Sequence, residues 1–251
     1  MKISLIIPCY NEQTNIQKGV LDKIGNYTKD RDIFSEVLIV DDGSLDESAT
    51  LVKNKYLPLF PKFRLVKNKH QGKAYTVITG IMESKSDFVM FSDIDLATPL
   101  EEAEKLIAEV KNGYQVVIGS RSKLREGAPV LRKILAYLAI LVRSVIIGIK
   151  GIKDTQCGFK LFQRKAALEI IDHLLVFHDG RTVEGSSVSA GFDMEFLFLA
   201  YKMGYKIKEI PVHWRHVETK NVNFVKDSFE TMKDILKIKY FYLSGKYEIN
   251  K

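Results

Sequence analysis

Short apolar runs alternate with longer amphipathic stretches over the first half of the chain. Five runs rich in Val, Ile, Leu and Phe cover residues 3–8, 36–42, 63–68, 87–93 and 115–120. Apolar runs of this length are typical of strands that are buried on both faces. The stretches between them predict helices. Alternating strands and helices predict an α/β fold with a mostly parallel, doubly wound sheet and flanking helices.

One of these helices carries clear signals at both ends. Within residues 98–113, Thr98 is the expected cap and Pro99 the expected first helical residue, while Asn112 and Gly113 form a stop signal. Because start and stop signals frame an amphipathic pattern, this stretch predicts a helix that leads into the fifth strand.

The second half of the chain has a different pattern. Helices are predicted at residues 165–173 and 192–204, and a strand at residues 205–214. An amphipathic helix that begins near Phe224 closes the chain. The Gly- and Ser-rich residues 176–190 predict a loop that is poorly ordered without ligands and closes over donor or acceptor.

Composition and charge narrow the class of protein. The chain has 251 residues, of which 46% are hydrophobic, and this suits a single globular domain. Its two cysteines have no metal-type spacing, so a reducing compartment is expected. Met1 leads directly into the first apolar run, so we expect no secretory leader. The net charge is +7, and residues 120–164 hold ten Lys and Arg against two acids.

The basic segment contains a marked apolar stretch at residues 130–149. Its unbroken apolar part is bounded by Arg132, Lys133 and Arg143. A membrane-spanning helix needs about 20 apolar residues, so this segment is too short to span. It fits either an interfacial helix on an anionic membrane or a buried helix whose cations reach the surface. The charge concentration favours the membrane reading, with peripheral attachment and no transmembrane helix.

Polar clusters follow the predicted strands. They read "PCYNE" after the first, "DDGS" after the second, "SDID" after the fourth and "GSR" after the fifth. In parallel sheets, ligands bind at the edge formed by the carboxyl ends of the strands. Asp93 and Asp95 alternate, so on extended backbone both carboxylates would point the same way and suit Mg²⁺ or Mn²⁺ together with a diphosphate. The alternative is an exposed loop with two solvated acids.

The ordered motifs resemble those of family 2 glycosyltransferases, which have the GT-A fold. Residues 153–162, "KDTQCGFKLF", and residues 209–214, "EIPVHW", are similar to the branch that transfers glucose to dolichyl and other polyprenyl phosphates. The resemblance implies an inverting hexosyltransferase that uses UDP-glucose at the cytoplasmic membrane face. Alternatives are a mannosyltransferase that uses GDP-mannose and a family 2 enzyme with a soluble acceptor. Residues 1–120 would hold the nucleotide sugar, and residues 121–251 would face the acceptor and the membrane.

The same resemblance assigns roles to individual residues. The nucleotide sugar would contact Pro8, Tyr10, Glu12, Asp41, Asp42 and Asp93. The metal would be held by Asp95 with Asp93, and catalysis would involve Asp95, Asp154 and Arg121. The acceptor phosphate would meet Arg121, Arg125, Lys160 and Lys220. Whether Asp154, Asp193 or Glu195 orients the sugar or moves a proton stays open at this point.

Some features depart from the family pattern or exclude other classes. Ile94 stands where the family usually has Ala, and its side chain is expected on the opposite face from the two aspartates. No G-x-G-x-x-G follows the first strand, which argues against a dinucleotide oxidoreductase. The basic segment is interleaved with aliphatic residues rather than stacking aromatics, which argues against a nucleic-acid binder. A nucleotide-binding protein without catalysis is the remaining rival, and it would have no need of metal-binding carboxylates. Cys157 is expected to be packed rather than reactive.

Overall fold

The structure is a computed structural model that describes residues 1–121, 148–149, 151–177, 190–215 and 224–249. A seven-stranded sheet, in the order β3-β2-β1-β4-β6-β5-β7, runs through it. The strands are β1 (Ile3–Cys9), β2 (Phe34–Asp41), β3 (Phe63–Lys67), β4 (Phe88–Ser92), β5 (Val116–Arg121), β6 (Phe159–Gln163) and β7 (Ile207–Val212). Six of them overlap the predicted runs; β6 was not predicted.

The sheet is parallel except at β6. Strand β1 pairs in parallel with β2 and β4, β2 with β3, and β5 with β7. Strand β6 lies between β4 and β5 and is antiparallel to both. The prediction of a mostly parallel sheet is therefore confirmed, with one reversed strand in its interior. Because β6 runs backwards, its first residues lie at the edge where β4 and β5 end.

The helices flank the sheet and match the predicted stretches. They are α1 (Gln13–Gln17), α2 (Val20–Thr28), α3 (Ser48–Leu51) leading through a π-helical turn (Val52–Tyr56) into α4 (Leu57–Leu59), α5 (Lys73–Glu83), α6 (Ala103–Lys111), α7 (Arg164–Asp172), α8 (Ala190–Lys202) and α9 (Phe224–Leu243). The helical segment that contains α6 begins with a 3-10 turn, one residue later than predicted. Pro99 is itself the cap, in extended conformation, and a 3-10 turn (Leu100–Glu102) precedes α6.

Apolar side chains cover both faces of the sheet. Ile6 of β1 joins a cluster that includes Val77 of α5 and Phe196 of α8, while Leu5 joins a cluster with Leu106 of α6. Ile94 is buried in the second cluster, as expected for a side chain that points away from the site. The helices on both faces thus bury the sheet. The polar clusters lie at the edge where the parallel strands end.

Two predicted segments and two predicted site residues fall partly or wholly outside the described residues. Of residues 130–149 only the last two are described, and Ile149 is buried at 6% exposure. Of residues 176–190, Val176 and Phe177 are buried rather than part of an open loop, and α8 begins at Ala190; residues 178–189 lie outside. Arg125 and Lys220 also lie outside the described residues. Within the described ranges, every helix is too short or too polar to cross a bilayer.

Candidate active site

The site lies at the edge where β1, β2, β4 and β5 end and β6 begins. Asp41 is the last residue of β2, Asp93 directly follows β4, and Arg121 ends β5. Asp93 N–H donates to the carbonyl of Gly158, just before β6, at 3.2 Å. The reversed strand thereby brings the "DTQCGF" motif against "SDID".

The end of β1 forms one wall. Pro8 lies within β1 opposite Val40, and the Tyr10 ring stacks on His70 with centroids 4.0 Å apart and planes 11° apart. The Glu12 carboxylate accepts a hydrogen bond from Asn15 at 2.6 Å, while its backbone N–H donates to Ser48 at 2.8 Å. An aromatic pair beside polar groups at a strand edge can receive the base of a nucleotide.

The two aspartates of "DDGS" are both buried. Asp42 is 1% exposed, and its carboxylate bonds to His70 Nδ1 at 2.8 Å and accepts the N–H of Gly72 at 2.7 Å. Asp41 is 4% exposed and accepts the N–H of Ser44 at 3.4 Å. Asp42 therefore fixes the loop before α5, and this loop carries His70 to its place against Tyr10.

Asp93 and Asp95 lie on a turn rather than on extended backbone. Strand β4 ends at Ser92, the N–H of Leu96 donates to the Asp93 carbonyl at 3.2 Å, and Leu96 has a φ of +52°. The prediction that both carboxylates point the same way assumed extended backbone. That assumption was wrong, because the chain turns before Asp95. The Asp95 carboxylate accepts the N–H of Ala97 at 3.0 Å, and burial together with the nearby Asp93 raises its pKa.

Lys73, the first residue of α5, supplies a positive charge that the sequence analysis missed. Its amino group contacts Asp93 Oδ1. Burial acts to lower the pKa of Lys73, but the charges of Asp93 and Asp193 outweigh it, so the pKa is raised. The polar "QGK" after the third strand lies at the same edge as the other clusters, and this position was the signal that could have identified Lys73.

Gly158 allows the Asp93 carboxylate to approach β6. A Cβ atom at residue 158 would lie 2.1 Å from Asp93 Oδ2 and 2.5 Å from its carboxyl carbon. Only glycine leaves room for this carboxylate. The glycine of "DTQCGF" is thereby explained by a contact with the first aspartate of "SDID".

Arg121 and Asp154 form a two-armed ion pair. The guanidinium donates from Nε at 2.8 Å and from a terminal nitrogen at 2.7 Å, and the Arg121 backbone N–H donates a third bond at 3.0 Å. Burial disfavours the Asp154 carboxylate, but Arg121 outweighs burial and the pKa of Asp154 is lowered. Glu209 accepts the Asp154 N–H at 2.8 Å and so anchors this pair to β7.

Lys160 and Asp193 form a third pair, deeper in the protein. Lys160 lies on β6, its side chain is 1% exposed, and its amino group donates to Asp193 at 2.6 Å and to the Cys157 carbonyl at 2.6 Å. Lys160 therefore contacts Asp193 from the interior of the protein rather than from its solvent-exposed surface. Asp193, near the start of α8, is the acid that faces both Lys160 and Lys73.

Glu195 has a different environment from Asp193. Its carboxylate accepts the N–H groups of Leu175, Val176 and Phe177 between 2.8 and 3.0 Å. The hydroxyl of Tyr247 donates a further bond at 2.8 Å. Burial raises the pKa of Glu195 against these bonds. The Glu195 oxygens hold the chain that follows α7, whereas the Asp193 carboxylate contacts Lys160.

Cys157 is packed, as predicted. It is 1% exposed, and burial with the nearby Asp154 raises the pKa of its thiol to about 11. A thiol with such a pKa is a poor nucleophile at neutral pH.

The carboxylates Asp93 and Asp95 fit a hard divalent cation. Mg²⁺ is commonly held by one or two carboxylates and completed by substrate phosphates. Across the described ranges, no group of three or more His, Cys, Asp or Glu could hold a metal. Asp93 and Asp95 supply the number and kind of acids that such a site uses, and the Lys73 ammonium already places a positive charge on Asp93.

Comparisons with known proteins identify the family of this chain. Residues 4–170 match the family model described as Glycosyl transferase family 2. A dolichyl-phosphate beta-glucosyltransferase of Dictyostelium discoideum is 35% identical over 264 residues, which cover 98% of this chain and 76% of the relative. The Saccharomyces cerevisiae protein of the same description is 31% identical, with 99% and 77% covered. The Homo sapiens protein is 29% identical, with 99% and 78% covered.

Solved structures show the same fold. Glucosyl-3-phosphoglycerate synthase from Mycobacterium tuberculosis, crystallised with Mn²⁺, uridine-diphosphate-glucose and phosphoglyceric acid, matches with a TM-score of 0.69 and 16% identity, covering 95% of this chain and 80% of that one. The same enzyme with Mg²⁺ and uridine-diphosphate matches with a TM-score of 0.66 and 18% identity, covering 95% and 79%. The predicted GT-A fold is confirmed. From its sequence and its fold, the chain belongs to glycosyl transferase family 2.

Proposed function

We propose that this protein transfers glucose from UDP-glucose to dolichyl phosphate or another polyprenyl phosphate, with inversion at the sugar. The observation that carries the proposal is similarity over nearly the whole chain to proteins described as dolichyl-phosphate beta-glucosyltransferases, at up to 35% identity. UDP as the donor nucleotide is supported by the fold neighbours that were crystallised with it.

The site offers suitable groups for the donor. Tyr10 with His70 would present an aromatic pair to the base, and Asp41, at the end of β2, would contact the base or ribose. Asp93 and Asp95 would hold Mg²⁺ or Mn²⁺, which neutralises the diphosphate of the bound donor. Residues 1–120 would thus bind the nucleotide sugar, and residues 121–251 would face the acceptor.

The acceptor needs little activation. The second pKa of a phosphate monoester is about 6, so a polyprenyl phosphate is largely dianionic at neutral pH. Its oxygen can form the bond to the anomeric carbon as the bond from that carbon to the diphosphate breaks. The protein then has to align two anions and balance their charge, for which Arg121 and Lys160 are the proposed cations among the described residues.

Asp193 is the acid we assign to orient the sugar. It faces the amino groups of Lys160 and Lys73 from the start of α8. Asp154 is held by Arg121 and Glu195 by three backbone N–H groups, so both are committed to local structure. Asp154 acts by setting the direction of the Arg121 guanidinium.

A lipid acceptor requires contact with a membrane surface. On α9, Leu236, Tyr240 and Leu243 are 56%, 60% and 72% exposed, and their spacing places them on one helical face. Exposed lysines Lys237 and Lys246 lie beside this face. We propose that this face, together with the basic residues 130–149, attaches the protein peripherally to an anionic membrane at its cytoplasmic side.

A donor and acceptor panel tests the function. The purified protein is incubated with UDP-glucose, UDP-galactose or GDP-mannose, each with a short polyprenyl phosphate or 3-phosphoglycerate, with Mn²⁺ or Mg²⁺. Mass spectrometry should detect hexosyl-phosphoryl-polyprenol only with UDP-glucose. Product with GDP-mannose would replace the donor assignment, and product only with 3-phosphoglycerate would replace the lipid acceptor. The same assay is run on two variants. Asp95→Ala should make far less product, whereas the control Asp87→Ala, which changes an exposed acid at the far end of β4, should make as much as wild type.

A further inference from the structure

Lys73 occupies the centre of the carboxylate cluster. Its amino group contacts Asp93 Oδ1, and the charges of Asp193 and Asp95 also act on it. Lys73 and Asp93 are 31% and 37% exposed at their side chains, so the pair is partly accessible to a ligand at the sheet edge.

The position of Lys73 is set by the chain before it. Gly72 has a φ of +90°, and its N–H is held by the buried Asp42 at 2.7 Å. Asp42 also accepts the N–H of Gln71 at 3.1 Å. Helix α5 therefore begins at a fixed point, and its first side chain reaches Asp93.

The two other acids that act on Lys73 already have partners of their own. Asp193 is already paired with Lys160 at 2.6 Å, and Asp95 accepts the N–H of Ala97 at 3.0 Å. A divalent cation that approaches Asp93 meets the ammonium on the same carboxylate, and the two positive charges repel each other. The diphosphate of a nucleotide would give that ammonium a new anionic partner.

We propose that Lys73 is the counter-ion of Asp93 in the metal-free protein and couples the binding of the metal to that of the nucleotide diphosphate. Without nucleotide, Lys73 competes with the cation for Asp93. With nucleotide, Lys73 moves to the diphosphate and Asp93 is released to the cation. This role rests on the proposed use of a nucleotide diphosphate and a metal. It makes Lys73 a positioning residue rather than a metal ligand.

The small protein ligand set agrees with this coupling. Over the ranges that the structure describes, no third His, Cys, Asp or Glu joins Asp93 and Asp95. Mg²⁺ and Mn²⁺ held by two carboxylates need further oxygens, which the diphosphate supplies. Both the ligand count and the Lys73 contact therefore weaken binding of the cation alone.

Mn²⁺ titration followed by electron paramagnetic resonance tests the proposal without turnover. Wild type, Lys73→Met and Lys73→Arg are titrated alone, with UDP and with GDP, and Lys111→Met, which changes an exposed lysine at the end of α6, is the matched control. In wild type, UDP should strengthen Mn²⁺ binding by roughly tenfold or more, within the usual range for coupled sites. Lys73→Met should bind Mn²⁺ without UDP roughly tenfold more tightly than wild type, so UDP should strengthen its Mn²⁺ binding less than in wild type. The part of the coupling that comes from diphosphate oxygens on the cation should remain. Lys73→Arg and Lys111→Met should keep the full wild-type coupling.

The outcomes separate this inference from the proposed function. If UDP strengthens Mn²⁺ binding in wild type but Lys73→Met without UDP binds Mn²⁺ no more tightly than wild type, the role of Lys73 is overturned and the donor assignment stands. If no form of the protein binds Mn²⁺ with either UDP or GDP, the metal-dependent donor site fails, and the inference fails with it. Loss of coupling in Lys73→Arg as large as in Lys73→Met would also overturn a role for the charge. Circular dichroism of each variant checks that it is folded.

Discussion

Two ion pairs at the same sheet edge differ in how firmly they are built. Lys73 and Asp93 share one contact, and both side chains are about a third exposed. Arg121 and Asp154 share two side-chain bonds and one backbone bond, with side chains 23% and 14% exposed, and Glu209 holds the chain on the other side. The first pair can exchange partners at little cost, whereas the second is fixed.

The difference shows how one edge can combine binding with rigidity. A forked guanidinium–carboxylate pair sets a direction and resists rotation. A single ammonium contact sets only a distance, and the ammonium can turn to another anion. We therefore expect substitutions on the Asp93 side to change ligand binding and substitutions on the Asp154 side to change stability.

The largest effect is expected from Asp95→Ala, on the exchangeable side. Loss of this carboxylate should lower turnover by about 10³-fold, because charge stabilisation of a leaving group is of this order. Turnover is measured with UDP-glucose and polyprenyl phosphate under saturating Mn²⁺. Asp87→Ala should retain wild-type activity. Full activity of Asp95→Ala under these conditions would contradict the metal role.

Asp154→Ala should lower stability as well as free the Arg121 guanidinium to turn. It leaves the Arg121 guanidinium without its carboxylate, and breaking such a pair costs about 3 kcal/mol. Lys73→Met, which breaks the exposed pair, should cost less than about 1 kcal/mol. Urea unfolding at neutral pH compares the two. Equal losses would mean that the two pairs do not differ as described.

Acid sharpens the same test, because the pKa of Asp154 is lowered by folding. A carboxyl group with a lowered pKa stabilises the fold above its ordinary pKa of 3.8, and this contribution is lost as the pH falls through the folded value. The difference in unfolding free energy between wild type and Asp154→Asn should therefore shrink below pH 3.8. A difference that stays constant with pH would contradict the assigned ion pair.

Gly158→Ala tests the contact between β6 and Asp93. A Cβ atom 2.1 Å from Asp93 Oδ2 forces this carboxylate to move, so turnover should fall by about 10²-fold, as for small displacements of a positioned group. Gly113→Ala is the control for a glycine replacement without a clash, because its added Cβ meets nothing within 4 Å, although its φ of +91° strains the backbone. Activity loss only at residue 158 would assign the effect to Asp93.

The smallest effect is expected from Tyr247→Phe, in the buried hydrogen-bond network of Glu195. It removes the hydroxyl that donates to Glu195 at 2.8 Å and should lower the free energy of unfolding by about 1 kcal/mol. Tyr240→Phe, at a side chain 60% exposed, should change it by less than about 0.5 kcal/mol. Thermal unfolding measures both. Equal shifts would show that the Glu195 network does not depend on Tyr247.

Much of the fold could be predicted because apolar β-branched runs identify buried strands. Strand β6 escaped this reasoning because a buried lysine, Lys160, interrupts its apolar pattern and finds Asp193 only through tertiary contacts. The motifs located the edge of the site, but its ion pairs depend on the turn after β4 and on the reversed strand. Lys73 was missed because its partner Asp93 is brought to it only by the tertiary fold, and a single lysine at the start of a helix forms no sequence motif.

The reversed strand also bears on the order in which the protein can fold. Strand β5 pairs only with β6 and β7 in the described sheet, and both come from residues after 150. A nascent chain that ends at residue 121 has therefore made β5 but none of its neighbours, and β4 lacks one of its two. On the ribosome, the exposed edges of β4 and β5 stay open until β6 is synthesised. The carboxylate centre is thus assembled only after the later half of the chain has inserted into the earlier one.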